Sequence, residues 1–191
     1  MKSTAFWVIA VSSIFLFSSP QVYAIPVDLN NFNILGPTVS IAADGSSAII
    51  SEDSQFAPVG IKNEDFFIPA DAQSLSFDYR LVVAPYNEDY FDFYFGDLSA
   101  PLVWFGGYND GPEDLIYSGT IDTALYSYEE NSQPIAFALS YGWLDVGYET
   151  VLTISNVQIN PVPEPATLLL TACGLLGIMR FRKRKISGAT R

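Results

Sequence analysis

Apolar residues recur at every second position in four separate runs of the central chain. In "SLSFDYRLVV" the residues Leu75, Phe77, Tyr79, Leu81 and Val83 share one face. In "YFDFYFGD" Phe91, Phe93 and Phe95 alternate with Tyr90, Asp92 and Tyr94. "IAFALSYGW" sets Ile135, Phe137, Leu139 and Tyr141 on one side. "VLTISNVQI" sets Val151, Thr153, Ser155, Val157 and Ile159 opposite Leu152 and Ile154. A period of two is the signature of half-buried strands. Asp44-Gly45 separates "TVSIAA" from "SSAIIS" in the manner of a tight hairpin, and "APYNED" and "GYNDGPED" carry loop chemistry. Neither helical periodicity nor an internal repeat interrupts residues 25–160. Eight to ten short strands in those 136 residues predict an all-β fold, a two-layer antiparallel β-sandwich of jelly-roll type.

The two ends follow other patterns. Lys2 precedes an apolar stretch from Ala5 to Phe17, and Val22-Tyr23-Ala24 puts small residues at −3 and −1 of a cleavage site. Residues 1–24 therefore read as a signal peptide handled by the general secretion machinery and cut after Ala24. Ala166 to Met179 forms a second apolar run of 14 residues with no polar face, predicting a short C-terminal helix. At about 1.5 Å per residue it falls short of a ~30 Å hydrocarbon core, making a weak anchor in the inner membrane. The cluster Arg180, Arg182, Lys183, Arg184 and Lys185 holds its far end on the cytoplasmic side. The expected organisation is 1–24 signal peptide, 25–160 sandwich body, 161–185 tail and 186–191 extension.

Charge sharpens the contrast between body and tail. Residues 25–160 hold 20 Asp and Glu against Lys62 and Arg80 alone, 20 − 2 = 18 net negative charges. Such a body is repelled by phosphate backbones, which excludes nucleic acid as a partner. The chain has no histidine, so the usual neutral-pH base and every Ser-His-Asp or Cys-His arrangement are absent. Its single cysteine, Cys173, lies in the C-terminal apolar run and reads as a small apolar residue.

Val162-Pro163-Glu164-Pro165-Ala166-Thr167, a short apolar segment and a basic cluster follow one another in order. This tail, about residues 161–185, resembles the PEP-CTERM sorting signal, also catalogued under an ice-binding-protein C-terminal name. The resemblance implies a tail read by exosortase, a membrane-embedded processing enzyme of Gram-negative bacteria that make extracellular polysaccharide. Val162, Pro163, Glu164 and Pro165 would then be recognition residues for that enzyme. The body would leave the inner membrane for the cell surface or extracellular matrix. "GYETVLTISNVQI" is also similar to the closing strand of exported jelly-roll modules.

Candidate chemistry in the body is sparse. Glu88, Asp89, Asp92 and Asp97 form one acidic cluster, and two carboxylates can run glycoside hydrolysis at about 5–10 Å separation. Twenty acids make chance pairs at that distance ordinary. Asn109, Asp110, Glu113 and Asp114 offer oxygens for a structural calcium, though without EF-hand spacing, and plain solvation is the competing use. No catalytic residue and no required cofactor emerge. Trp104, Tyr108 and Trp143, with Tyr86, Tyr126 and Tyr128, lie in or near loops and can stack on sugar rings. Core or rim packing is the commoner use of such aromatics, and Trp104 sits in the alternating run "LVWFGG". The sequence thus predicts an exported surface or matrix protein with a non-catalytic binding or structural body. A carbohydrate-binding module of the polysaccharide matrix and a secreted glycan hydrolase are the alternatives. Ice binding lacks the flat, repetitive Thr face it needs.

Overall fold

A computed structural model describes residues 23–53, 58–125, 132–142 and 149–162. The chain divides into Ala24–Pro161 and a second unit formed by Met1–Tyr23 with Val162–Arg191. Residues 1–22, Trp143, Tyr126, Tyr128, Pro163, Glu164, Pro165, the C-terminal apolar run and the basic cluster lie outside the described residues. Ala24 is exposed, immediately before the first strand. Among the described residues no helix is long and apolar enough to cross a membrane.

The described strands are β1 (Ile25–Pro26), β2 (Asn33–Leu35), β3 (Val39–Ile41), β4 (Ser47–Ser51), β5 (Val59–Phe67) and β6 (Ala72–Val83). They continue with β7 (Glu88–Phe95), β8 (Val103–Tyr108), β9 (Leu115–Ala124), β10 (Ser132–Tyr141) and β11 (Val151–Pro161). One sheet is ordered β3-β4-β11-β6-β9, with β1 also pairing β11, and the other β2-β5-β10-β7-β8. Every pairing is antiparallel. From β4 onward the chain alternates between sheets except at β7-β8, which form a hairpin within one. The resulting orders β4-β11-β6-β9 and β5-β10-β7-β8 are the two interlocked four-stranded sets of a jelly roll.

The alternation read from the sequence builds the core. Leu75, Phe77, Leu81 and Val83 of β6 are buried against Phe91 and Phe93 of β7 and Ile135, Phe137 and Leu139 of β10. Phe77 centres it, 6.1 Å and perpendicular to Phe91, 4.8 Å from Phe93 and 5.0 Å from Phe137. Edge and tilted ring contacts of this kind add to the area buried across the two sheets. Tyr79 is half-buried at the margin, stacked on Phe91 and tilted against Phe105 at 4.2 Å.

Strand β11 departs from the unbroken alternation of Val151 to Ile159. Leu152 and Ile154 face the core, the register slips between Ser155 and Gln158, and Val157 and Ile159 take over the inward positions. Asn156 sits at the slip with φ +52°, and its Nδ2 donates to Asp78 Oδ2 at 2.6 Å. An inserted residue shifts a period-two pattern by one, so one strand carries two phases. At the other end of the sandwich, buried Thr150 accepts from Ala84 N–H and donates to Asp89 Oδ2. Glu52 Oε2 accepts from Asn87 Nδ2 and Thr150 N–H, so polar groups link the ends of β4, β7 and β11.

Candidate functional site

Strand alternation decides which polar and aromatic residues reach solvent. On β8, Val103 and Phe105 pair with inward-facing Phe93 and Phe91, so Trp104, Gly106 and Tyr108 point outward. Their cross-strand partners on β7 are Asp92, Tyr90 and Glu88, and Tyr94 continues the row. Ser140, Ala138 and Ala136 of β10 lie beside Tyr90, Asp92 and Tyr94 on the same face. The outer face of the five-stranded sheet is therefore a band of aromatics and carboxylates around small residues.

Trp104 is 63% exposed, which removes it from the core that the "LVWFGG" run allowed. Its ring meets Tyr90 edge-on at 5.9 Å and 63°. Tyr108, 49% exposed, lies four residues along the same strand, about 13 Å away at the usual rise per residue. Gly106 between them lets β8 approach β7: with φ +140°, a Cβ there would lie 2.2 Å from the Asp89 carbonyl oxygen.

The carboxylates of this band are held by neighbours. Tyr90 donates its hydroxyl to Glu88 Oε1 at 2.7 Å, and that bond, with burial behind it, raises the phenol above its ordinary value. Gly142 leaves room for Glu88, since a Cβ there would come within 2.3 Å of its Cδ. Asp92 is only 9% exposed and accepts from Ser140 Oγ. Burial pushes its carboxyl upward, opposed by hydrogen bonds from Ser140 and Tyr94. Burial, the Asp92 charge and that hydrogen bond raise Tyr94 in turn.

The acidic cluster read from the sequence is divided by the fold. Glu88 and Asp92 face outward, Asp89 points inward to Thr150, and Asp97 caps a surface turn by accepting from Ser99 N–H at 2.7 Å. The four carboxylates therefore do not converge on one bond.

The "NDGPED" loop is likewise split. Buried Asn109 donates Nδ2 to the carbonyls of Val83, Ala84 and Glu113 and accepts from Gly111 N–H. Its amide is a strut for the loop, whereas Asp110, Glu113 and Asp114 are exposed. Among the described residues no group of three or more His, Cys, Asp or Glu is gathered.

Tyr90, Tyr94 and Ser140 escaped the sequence reading. The alternation in "YFDFYF" places Tyr90, Asp92 and Tyr94 together, but only the β7-β8 and β7-β10 registers set Trp104 and Ser140 beside them.

Two hollows of about 280 and 400 Å³ lie on the other sheet. The first is bordered by Asp78, Thr120 and Asn156, the second by Ser74, Asp122 and Asn160. Asp78 accepts from both Thr120 Oγ1 and Asn156 Nδ2, and those bonds hold its carboxyl below the ordinary range. Neither hollow offers an exposed ring.

The chain is thus a jelly-roll body with one aromatic outer face. It also carries a sorting signal: the family model described as the PEP-CTERM protein-sorting motif matches residues 161–185. No curated protein matches the chain. Among solved structures it is similar to Caldicellulosiruptor saccharolyticus CBM27-1 in complex with mannohexaose. That match has 11% identity, covers 74% of this chain and 99% of that one, and has a TM-score of 0.47. The K2 cleaved adhesin domain of Lys-gingipain matches with 9% identity over 73% and 98% of the two chains, TM-score 0.40. The non-crystalline-cellulose-specific module CBM28 matches with 8% identity over 72% and 86%, TM-score 0.39. At TM-scores below 0.5 these likenesses carry no weight for what this chain binds.

Proposed function

We propose that the chain is exported, that exosortase reads residues 161–185, and that the released body works at the cell surface or in the extracellular matrix. There the outer face of β8, β7 and β10 binds polysaccharide without catalysis. The supporting observation is Trp104, a 63% exposed ring on a strand, braced by Tyr90 and opposite Asp92. A pyranose presents an apolar C–H face and a rim of hydroxyls. A fixed aromatic face beside carboxylate and hydroxyl acceptors complements both, and a strand positions them better than a loop.

The test is a glycan array probed with the full chain in a detergent lacking a sugar headgroup. Binding that Trp104→Ala reduces at least tenfold supports the reading, and no Trp104-dependent binding to any glycan overturns it. Mass spectrometry of surface-fraction protein checks the tail: a chain ending near Pro163 is expected, and an intact Arg191 counts against sorting.

A further inference from the structure

The chemistry of the aromatic face points to one class of glycan. The ring pair Trp104–Tyr90 is bordered by two carboxylates, Asp92 opposite Trp104 and Glu88 bonded to Tyr90. Among the described residues the face presents one cation, Lys62 of β5, whose Nζ is engaged by Glu64 Oε1 at 2.5 Å. Residues 25–160 carry 18 net negative charges. A uronic-acid polymer approaching this face meets like charge from both the site and the whole body. A protonated amine meets the opposite: an aromatic face attracts a cation through its quadrupole, and a neighbouring carboxylate adds a charge-assisted hydrogen bond.

We infer that the outer face of β8, β7 and β10 selects polysaccharide bearing free amino sugars, with Trp104 stacking on a sugar ring, Tyr90 bracing it edge-on, and Asp92 and Glu88, four residues apart on β7, each drawing the ammonium of a separate amino sugar. This rests on the glycan-binding reading above and specifies its ligand. Neutral sugars bind by stacking and hydroxyl hydrogen bonds without the charge pairing, and polyuronates are excluded. The depth of Asp92 matters here: at 9% exposure its charge is little screened by solvent, so it discriminates more strongly than a surface acid. Its bonds from Ser140 and Tyr94 fix the carboxylate before the ligand arrives.

The test uses matched oligosaccharides on the full chain: a glucosamine hexamer, its fully N-acetylated counterpart, neutral hexaoses and a hexauronate, read by calorimetry. The amino hexamer should bind at least tenfold more tightly than the acetylated one, and the hexauronate should not bind. Asp92→Asn should remove most of that preference, weakening the amino hexamer at least tenfold more than the acetylated one. Asp122→Asn makes the same charge change on the exposed outer face of the other sheet and controls for the general field of the body. It should cost less than twofold, and Glu88→Gln serves as a second site variant should Asp92→Asn melt at a lower temperature.

Trp104-dependent binding with equal affinity for acetylated or neutral sugars overturns the inference and leaves the glycan-binding reading standing. So does an equal loss in Asp92→Asn and Asp122→Asn. Absence of any Trp104-dependent binding overturns both.

Discussion

The two outer faces of the sandwich come from the same period-two pattern and have opposite chemistry. Around the β11 slip the outward residues of the six-stranded sheet are short and polar: Ser74, Ser76 and Asp78 on β6, Thr120 and Asp122 on β9, Gln158 and Asn160 on β11, with Arg80 and the exposed Ile49 and Ile116 farther along the same face. They satisfy one another, as in the Asp78–Thr120–Asn156 group and the Asn160 bonds to Ser74 and Ser76. On the five-stranded sheet the outward residues are Trp104, Tyr108, Tyr90 and Tyr94 with two carboxylates, around Ala136, Ala138 and Gly60. A face whose hydrogen bonds close among themselves needs only water. A face that leaves a tryptophan in solvent has surface to give to a ligand.

Breaking the aromatic face at its backbone should have the largest effect. Gly106→Ala would bring a Cβ against the Asp89 carbonyl at a positive φ, forcing β8 away from β7. A loss of roughly 3 kcal/mol, seen as a fall in melting temperature of about 10 °C, is expected together with loss of glycan binding. Trp104→Ala comes next and separates function from folding. Affinity should fall about ten- to a hundredfold, while melting shifts by no more than about 2 °C because the ring lies outside the core.

On the polar face, Asn156→Ala removes the bond to Asp78 and puts a residue less tolerant of positive φ at the β11 slip. It should cost about 1–2 kcal/mol in denaturant unfolding. Asn156→Gly should cost less, since glycine accepts that backbone, and neither change should alter glycan affinity. An effect on binding from either would blur the distinction between the faces.

The smallest effect carries the sign of Asp92. Because burial raises its carboxyl in the folded state, folding takes up a proton in the window between the ordinary and the raised value. The unfolded chain binds fewer protons there, so this group's contribution to stability falls as pH rises through the window. The carboxyls of Asp44, Asp78 and Asp97, lowered by hydrogen bonds, act oppositely and lose their contribution as pH falls. Asp92→Asn should therefore raise the melting temperature at neutral pH by roughly 1–3 °C and flatten the weakly acidic part of the profile. A stabilised variant with poorer selectivity for amino sugar is the outcome that separates a recognition role from a structural one.

The sequence by itself determined the all-β class, because a period of two marks half-buried strands whatever they pair with, and many such strands close into a layered β fold. It also determined the sorting tail, since Val162-Pro163-Glu164-Pro165, the apolar run and the basic cluster form a local, ordered signal. The phase of β11 was out of reach, because the bulge at Asn156 answers to Asp78 on a neighbouring strand. Site membership was out of reach for the same reason. Glu88, Asp89, Asp92 and Asp97 are close in the chain yet divided between outer face, interior and turn. Trp104, Tyr90, Asp92 and Ser140 come from three strands and meet only through register. Local pattern sets which way each side chain points along its own strand, but long-range pairing sets what stands beside it, and recognition depends on the neighbour.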